Sequence, residues 1–232
     1  MLILALDSTA VVASVALCRD ETPIACFTVK NGNTHSETLL PMVESVLKTA
    51  GYTVDDVDLF ACSVGPGSFT GVRIGVSTIK GLAFGKNKPC IAVSTLEALA
   101  ENAVPAAGIL CPVMNARRGQ VYNALFRFED GKLNRLCPDR ALSVTELEDE
   151  LEKMGEPFIL TGDGVPETMR LMRRLSSERI SDQLLDQNAV SVAKCAFRAH
   201  LSGASCTDAE LSPVYLRLPQ AERERLERMK NA

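Results

Sequence analysis

The chain has 232 residues, room for one large or two small domains, and 46% of them are hydrophobic, enough for a substantial core. Its net charge is −4 and its pI about 5.4, which argues against a large autonomous nucleic-acid surface but leaves open a role inside an RNA-handling complex. No apolar stretch is long enough to span a membrane, and the apolar N-terminus lacks a basic start and is interrupted by Asp7, unlike a signal peptide.

Residues 2–7 read as a buried strand ending in an acid, and 11–18 and 23–29 as second and third strands around the polar turn Arg19-Asp20-Glu21. Leu39, Leu40, Val43, Val46, Leu47 and Ala50 then recur at helical spacing, with Gly51 placed to cap the helix. A strand at 58–64, a glycine-rich loop, a helix over 68–84, a strand at 89–93 and a short helix capped by Ser94 or Thr95 follow. The pattern β-β-β-α-β-α-β-α then restarts. Residues 108–115 form a strand, RRGQVYNALFRF a turn and a second strand, and Asp130-Gly131 a hairpin turn into a third. SVTELEDELEKM is an acidic helix, and PFILTGDGV a strand ending in Gly162-Asp163-Gly164. Helices from about Pro166 and over NAVSVAKCAFRAHLSG complete the second half, and AERERLERMKNA reads as a solvated charged helix or a frayed tail. The Pro/Ala stretch at 104–107 divides an N-terminal domain, 1–104, from a C-terminal domain, 105–232. The eight cysteines include no C-x-x-C pair and read as reduced thiols of a cytoplasmic protein, most of them in the core.

The stretch VGPGSFTGVRIG, from Val64 to Gly75, invites a phosphate-loop reading that its spacing refuses. Val72-Arg73 stands where a Walker A loop needs Lys and Ser/Thr, and Gly71 comes one residue late for a dinucleotide fingerprint. The following helix carries Val72, Ile74, Val76, Ile79, Leu82 and Phe84 around most of its circumference, so it requires cover on two sides. Gly71 and Gly75, at i and i+4, form a small-residue ridge that Thr78 continues. Each glycine costs the helix about 0.5–1 kcal/mol relative to alanine, and close packing would offset that. The ridge is expected to meet a partner helix; packing on the chain's own first helix is the alternative.

The repeated β-β-β-α-β-α unit fits two ribonuclease-H-like halves, each a mixed sheet with helices, as in the actin-like ATPase superfamily. Within it, ILALDSTA, THSETLLP, VGPGSFTGVRIGVSTIKGLA, VSTLEALA, MNARRGQVY and SPVYLRLPQAE resemble the TsaB (YeaZ) family of the glycoprotease-like branch. The resemblance implies a non-catalytic scaffold in the complex that forms N6-threonylcarbamoyladenosine beside the tRNA anticodon. It would dimerise with the catalytic paralogue TsaD, meet the ATPase TsaE and tRNA through the complex, and form a homodimer when alone.

The paralogue's metal-holding H-x-x-x-H pair is absent, because Leu39 stands four residues after His35, and Asn115 replaces the Asp of many relatives. His35 is therefore read as a helix-cap or interface residue. The expected interface comprises His35, Leu39, Val43 and Val46 on the first helix and Gly71, Ile74, Gly75 and Thr78 on the second. Asp7, Ser8 and Thr9, with Gly162, Asp163 and Gly164, match the superfamily's nucleotide loops. They stand either as weak ATP/ADP contacts or as an inherited turn framework, and no cofactor or metal is required. Arg117 and Arg118 are too few to form a tRNA platform and are expected to pair with carboxylates. The competing reading is a small-molecule kinase or ATPase of the same superfamily.

Overall fold

A computed structural model of the chain describes residues 1–217 and Met229. β1 (Leu2–Asp7), β2 (Ala13–Arg19) and β3 (Thr22–Val29) form an antiparallel meander. The chain crosses through α1 (His35–Ala50) to β4 (Leu59–Gly65), parallel to β1, and through α2 (Phe69–Ala83) to β5 (Cys90–Ser94), parallel to β4. The resulting strand order is β3-β2-β1-β4-β5. β1 is buried on both faces, which is why its sequence is continuously apolar rather than alternating. Leu2, Leu4 and Leu6 face the core under α1 and α2, while Ile3 and Ala5 face the opposite layer.

After α3 (Thr95–Glu101), the second half repeats the plan. β6 (Ile109–Arg117) pairs antiparallel with β7 (Gln120–Asn123) at one end and with β8 (Phe126–Glu129) at the other. β8 turns into β9 (Lys132–Arg135), and β10 (Arg140–Ser143) edges β7. Ser143 starts α4 (Val144–Met154) with a capping box closed by Glu146. β11 (Phe158–Thr161) runs parallel to β6, and α5 (Val165–Leu171) leads towards β12 (Glu178–Arg179), which is parallel to β11. The order β10-β7-β6-β11-β12 reproduces that of the first sheet.

Three features differ from the sequence reading. The single strand expected over QVYNALFRF is two, β7 and β8. Pro112 has no N–H to continue the ladder, and buried Asn123 Nδ2 donates instead to the carbonyls of Pro112 and Ala124, each at 3.0 Å. The short edge strands β10 and β12 carry too few residues to show a period. The division at 104/105 separates the sheets but misassigns α6 (Ala189–Leu201), whose Ala189, Val192, Ala193 and Ala196 pack against Ile3, Ala5 and Ala61 of the first sheet. α3 and α6 are pinned together where buried Glu101 receives Arg198, at 2.7 and 3.2 Å; Arg198 also reaches Glu21 at 2.6 Å. The charged helix expected over 221–232 lies outside the described residues, Met229 apart.

Candidate functional site

The glycine-rich segment rests on the end of β1. Ser68 caps α2 by accepting from the Gly71 N–H at 3.3 Å, and its own N–H donates to the Thr9 carbonyl at 2.6 Å. Ser8 Oγ donates to the Gly71 carbonyl at 2.8 Å. A β-carbon at Gly67 would lie 2.5 Å from the Thr9 carbonyl oxygen, and one at Gly71 would overlap the Ser8 carbonyl oxygen. At Gly75 it would lie 2.5 Å from Ser8 Oγ and 3.1 Å from Leu6 Cδ1. Absent side chains thus bring α2 onto β1. Gly71 and Gly75 face neither a partner helix nor α1, so the ridge expectation is corrected.

The rest of the expected interface divides. Val43 and Val46 belong to the chain's own core beneath α1, and their assignment to a partner surface is also corrected. Leu39, only 1% exposed, floors a groove between α1 and α2. His35, Ile74 and Thr78 line that groove, with His35 Nε2 2.7 Å from the Ala10 carbonyl. Leu40, Ser77, Gly81 and Leu82 line it too and escaped the sequence reading as interface residues. The signal was present: the second apolar side of α2 runs through Ile74, Thr78 and Leu82 and has no cover among the described residues of this chain. The groove encloses about 580 Å³, and Leu40 on its rim is 55% exposed.

A second cavity, of about 550 Å³, lies between the halves, lined by Thr9, Asn115, Tyr122, Asp163 and the segment Val214 to Arg217 among others. This segment returns over the first half. The Val214 N–H donates to the Val64 carbonyl at 2.7 Å, Tyr215 stacks on Phe69 at 4.6 Å, and Arg217 donates to the Ala116 carbonyl at 2.9 Å. The guanidinium of Arg73 covers the Phe69 ring at 4.5 Å.

The two loops at the cleft are turned inward. Asp7 Oδ1 accepts from the Thr9 N–H and hydroxyl, at 2.8 and 2.7 Å, and the Ser8 hydroxyl is engaged by Gly71. Asp7 Oδ2 and Ser63 Oγ are buried and make no aligned hydrogen bond. Burial pushes the Asp7 carboxyl above the usual range, against the opposing influence of Ser63, Thr9 and His35. In the second half, Gly162 and Gly164 pack against the Val113 backbone, and Asn115 Oδ1 accepts from the Arg117 N–H at 2.8 Å. Among the described residues no group of His, Cys, Asp and Glu has the geometry to hold a metal ion. As held here, the Ser8 and Thr9 hydroxyls and Asp7 Oδ1 have partners within the chain, while Asp7 Oδ2 and Asp163 Oδ1 are buried without one.

Burial pushes the Asp163 carboxyl up to about 6, with Asp186 adding to the shift against hydrogen bonds from the Asp163 and Asn115 backbones. A raised folded-state value means that this group's contribution to stability is full below about 3.8 and is lost as pH rises through about 6. Asp163→Asn is therefore expected to stabilise the chain at pH 7.5, by up to about 3 kcal/mol, with the gain vanishing near pH 4. Thermal melts of both proteins across that range check it, and a gain independent of pH would contradict the assignment.

Residues 30–181 match the family described as TsaD: tRNA N6-adenosine threonylcarbamoyltransferase. Over 230 residues the chain is 31% identical to the tRNA threonylcarbamoyladenosine biosynthesis protein TsaB of Bacillus subtilis (strain 168), covering 99% of this chain and 100% of that one. It is also 31% identical over 220 residues to the TsaB protein of Escherichia coli (strain K12), with 94% and 95% coverage. Among solved structures, YeaZ from Pseudomonas aeruginosa superposes with a TM-score of 0.79 at 28% identity, over 93% of this chain and 99% of that one. No described helix is long and apolar enough to cross a membrane.

Proposed function

The chain belongs to the TsaB family of tRNA threonylcarbamoyladenosine biosynthesis proteins, and from that premise we propose that it is the non-catalytic subunit that docks and stabilises a TsaD-type transferase through the α1/α2 groove. The observation that carries this reading is the groove itself: an apolar channel floored by Leu39 and walled by Leu40, Ile74 and Leu82, which the described fold leaves uncovered. A groove of this lining between two helices suits an opposing helix or helix pair presenting apolar side chains. A second copy of the chain offers the same face, so a homodimer forms in the partner's absence and dissociates when the partner binds. A TsaE-type ATPase and tRNA engage the assembled complex in the cytoplasm, not the isolated chain.

The inward-turned loops support the inherited-framework reading of Asp7, Ser8, Thr9 and Gly162 to Gly164. The rival reading, a kinase or ATPase, needs a carboxylate free to hold a cation and a base near the phosphates. Asp7 is fully buried and does not line the cleft cavity, its Oδ1 accepts from Thr9, and exposed Asn115, an amide, cannot serve as a base. The purified chain is accordingly expected to turn over ATP far below the order of 1 s⁻¹ typical of enzymes. A reconstituted tRNA modification reaction should stop when this chain is omitted and resume when it is restored. ATP turnover at an enzymatic rate, abolished by Asp7→Ala, would transfer the case to the rival reading.

A further inference from the structure

β5 is an edge of the first sheet, and the chain returns to it after α6 as a strap. There Cys90 and Cys206 form an antiparallel bridge and exchange both backbone hydrogen bonds, at 2.8 and 2.9 Å. Residues paired in this way have Cα atoms about 5.5 Å apart and send their side chains to the same face. A disulfide spans Cα separations of roughly 4.4–6.8 Å but brings the Cβ atoms to about 3.5–4.5 Å, closer than the roughly 5.5 Å of a hydrogen-bonded pair, so closing it requires the strap, held here by a single bridge, to shift by about 1 Å. Cys206 Sγ already leans over its opposite residue, donating to the Cys90 carbonyl at 3.3 Å. Cys62 lies on the neighbouring strand but is displaced along it, since the residue paired with Cys90 is Phe60.

We propose that Cys90 and Cys206 are a disulfide-forming pair, a redox clasp that fastens the C-terminal strap to the edge of the first sheet. The division of labour follows from exposure. Cys206 is half-buried and open to a reagent, whereas Cys90 is fully buried and can react only with what is opposite it. With a small-molecule disulfide as oxidant, the Cys206 thiolate attacks one of its sulfurs, forming a mixed disulfide and releasing one thiolate. Cys90 then attacks the Cys206 sulfur and expels the second. Two protein thiols are oxidised, one reagent disulfide is reduced to two thiols, and the protons lost by the cysteines are taken up by the leaving thiolates. Burial raises both protein thiols above their usual range, Cys90 to about 11, which slows the exchange at neutral pH without altering the pairing.

The strap is worth fastening because of what it holds. The carbonyls of Ala209 and Leu211 accept from Lys80 on α2, at 2.8 and 3.1 Å, and the Arg217 contact reaches the second half. A covalent clasp at Cys206 therefore limits how far the strap can leave both the groove helix and the cleft.

The test is incubation of the full chain with oxidised glutathione, followed by non-reducing peptide mapping. The expected product is a Cys90–Cys206 cross-linked peptide, lighter by two hydrogens than its parts. It should disappear with dithiothreitol and be absent from Cys206→Ser. Proteolysis within the strap should slow several-fold in the oxidised wild type and be unchanged in oxidised Cys206→Ser. If that variant fails to fold, differential alkylation of the wild type still decides, because the two thiols must be lost in step. A glutathione adduct on Cys206 that never resolves, a Cys62–Cys90 link, or no cross-link at all would overturn the proposal.

Discussion

Gly75→Leu should destabilise the isolated chain severely, before any partner is involved. The new β-carbon alone would lie 2.5 Å from Ser8 Oγ and 3.1 Å from Leu6 Cδ1, and three further heavy atoms must find space between α2 and β1. Both neighbours are buried, so neither can swing into solvent. Overpacking of this kind typically costs about 1–3 kcal/mol and occasionally more; with the helix anchored by Ser68 and Ser8, the upper end, about 3 kcal/mol, is expected. For a chain of this length that is a fall of roughly 6–12 °C in melting temperature. Gly71→Leu should be worse, because its β-carbon meets the Ser8 carbonyl, which is backbone. Gly81, on the same helix, has no atom within 4 Å of its missing β-carbon. Gly81→Ala should therefore gain about 0.5–1 kcal/mol from helix propensity. Thermal melts at matched protein concentration check all three, and a native-like Gly75→Leu would return the ridge to the surface.

The glycines show what was legible in the sequence and what was not. Their presence in a helix marked close packing correctly, and the apolar circumference of α2 marked a second apolar side, which faces the groove. Periodicity cannot assign neighbours, however. Gly71 and Gly75 lie on the inward side of α2, and the atoms they admit, Ser8 and Leu6, are more than sixty residues away in sequence. The same gap explains the interface residues. On α1, Leu39, Val43 and Val46 form the more regular stripe, and regularity signals a core; Leu40, just off the stripe, is the exposed one. The strands were readable because the central ones are continuously apolar. The split into β7 and β8 was not, because it depends on Pro112 of another strand meeting Asn123. The cap at Gly51, in the left-handed region at φ 74°, was readable from its residue type and position alone.

Leu40→Glu should separate assembly from folding. Leu40 is 55% exposed on the rim of the groove, so a carboxylate there remains solvated in the free chain and the melting temperature should hardly move. In a complex that covers the groove, that carboxylate would lie among Leu39, Ile74 and Leu82; among the described residues the groove's basic side chains are Arg73, whose guanidinium stacks on Phe69, and His35, whose Nε2 is engaged with the Ala10 carbonyl. Burying a charge with no adequate partner at an interface costs several kcal/mol, commonly 2–5, a loss of affinity of roughly thirtyfold to several thousandfold. Asp163→Asn, which alters the cleft cavity and lines no part of the groove, should leave the affinity nearly unchanged. The direct measurement is titration of the purified transferase subunit with wild type and Leu40→Glu, at concentrations where each is monomeric. The groove account predicts that Leu40→Glu stays folded and binds at least about thirtyfold more weakly. Binding of folded Leu40→Glu at the wild-type affinity would contradict it.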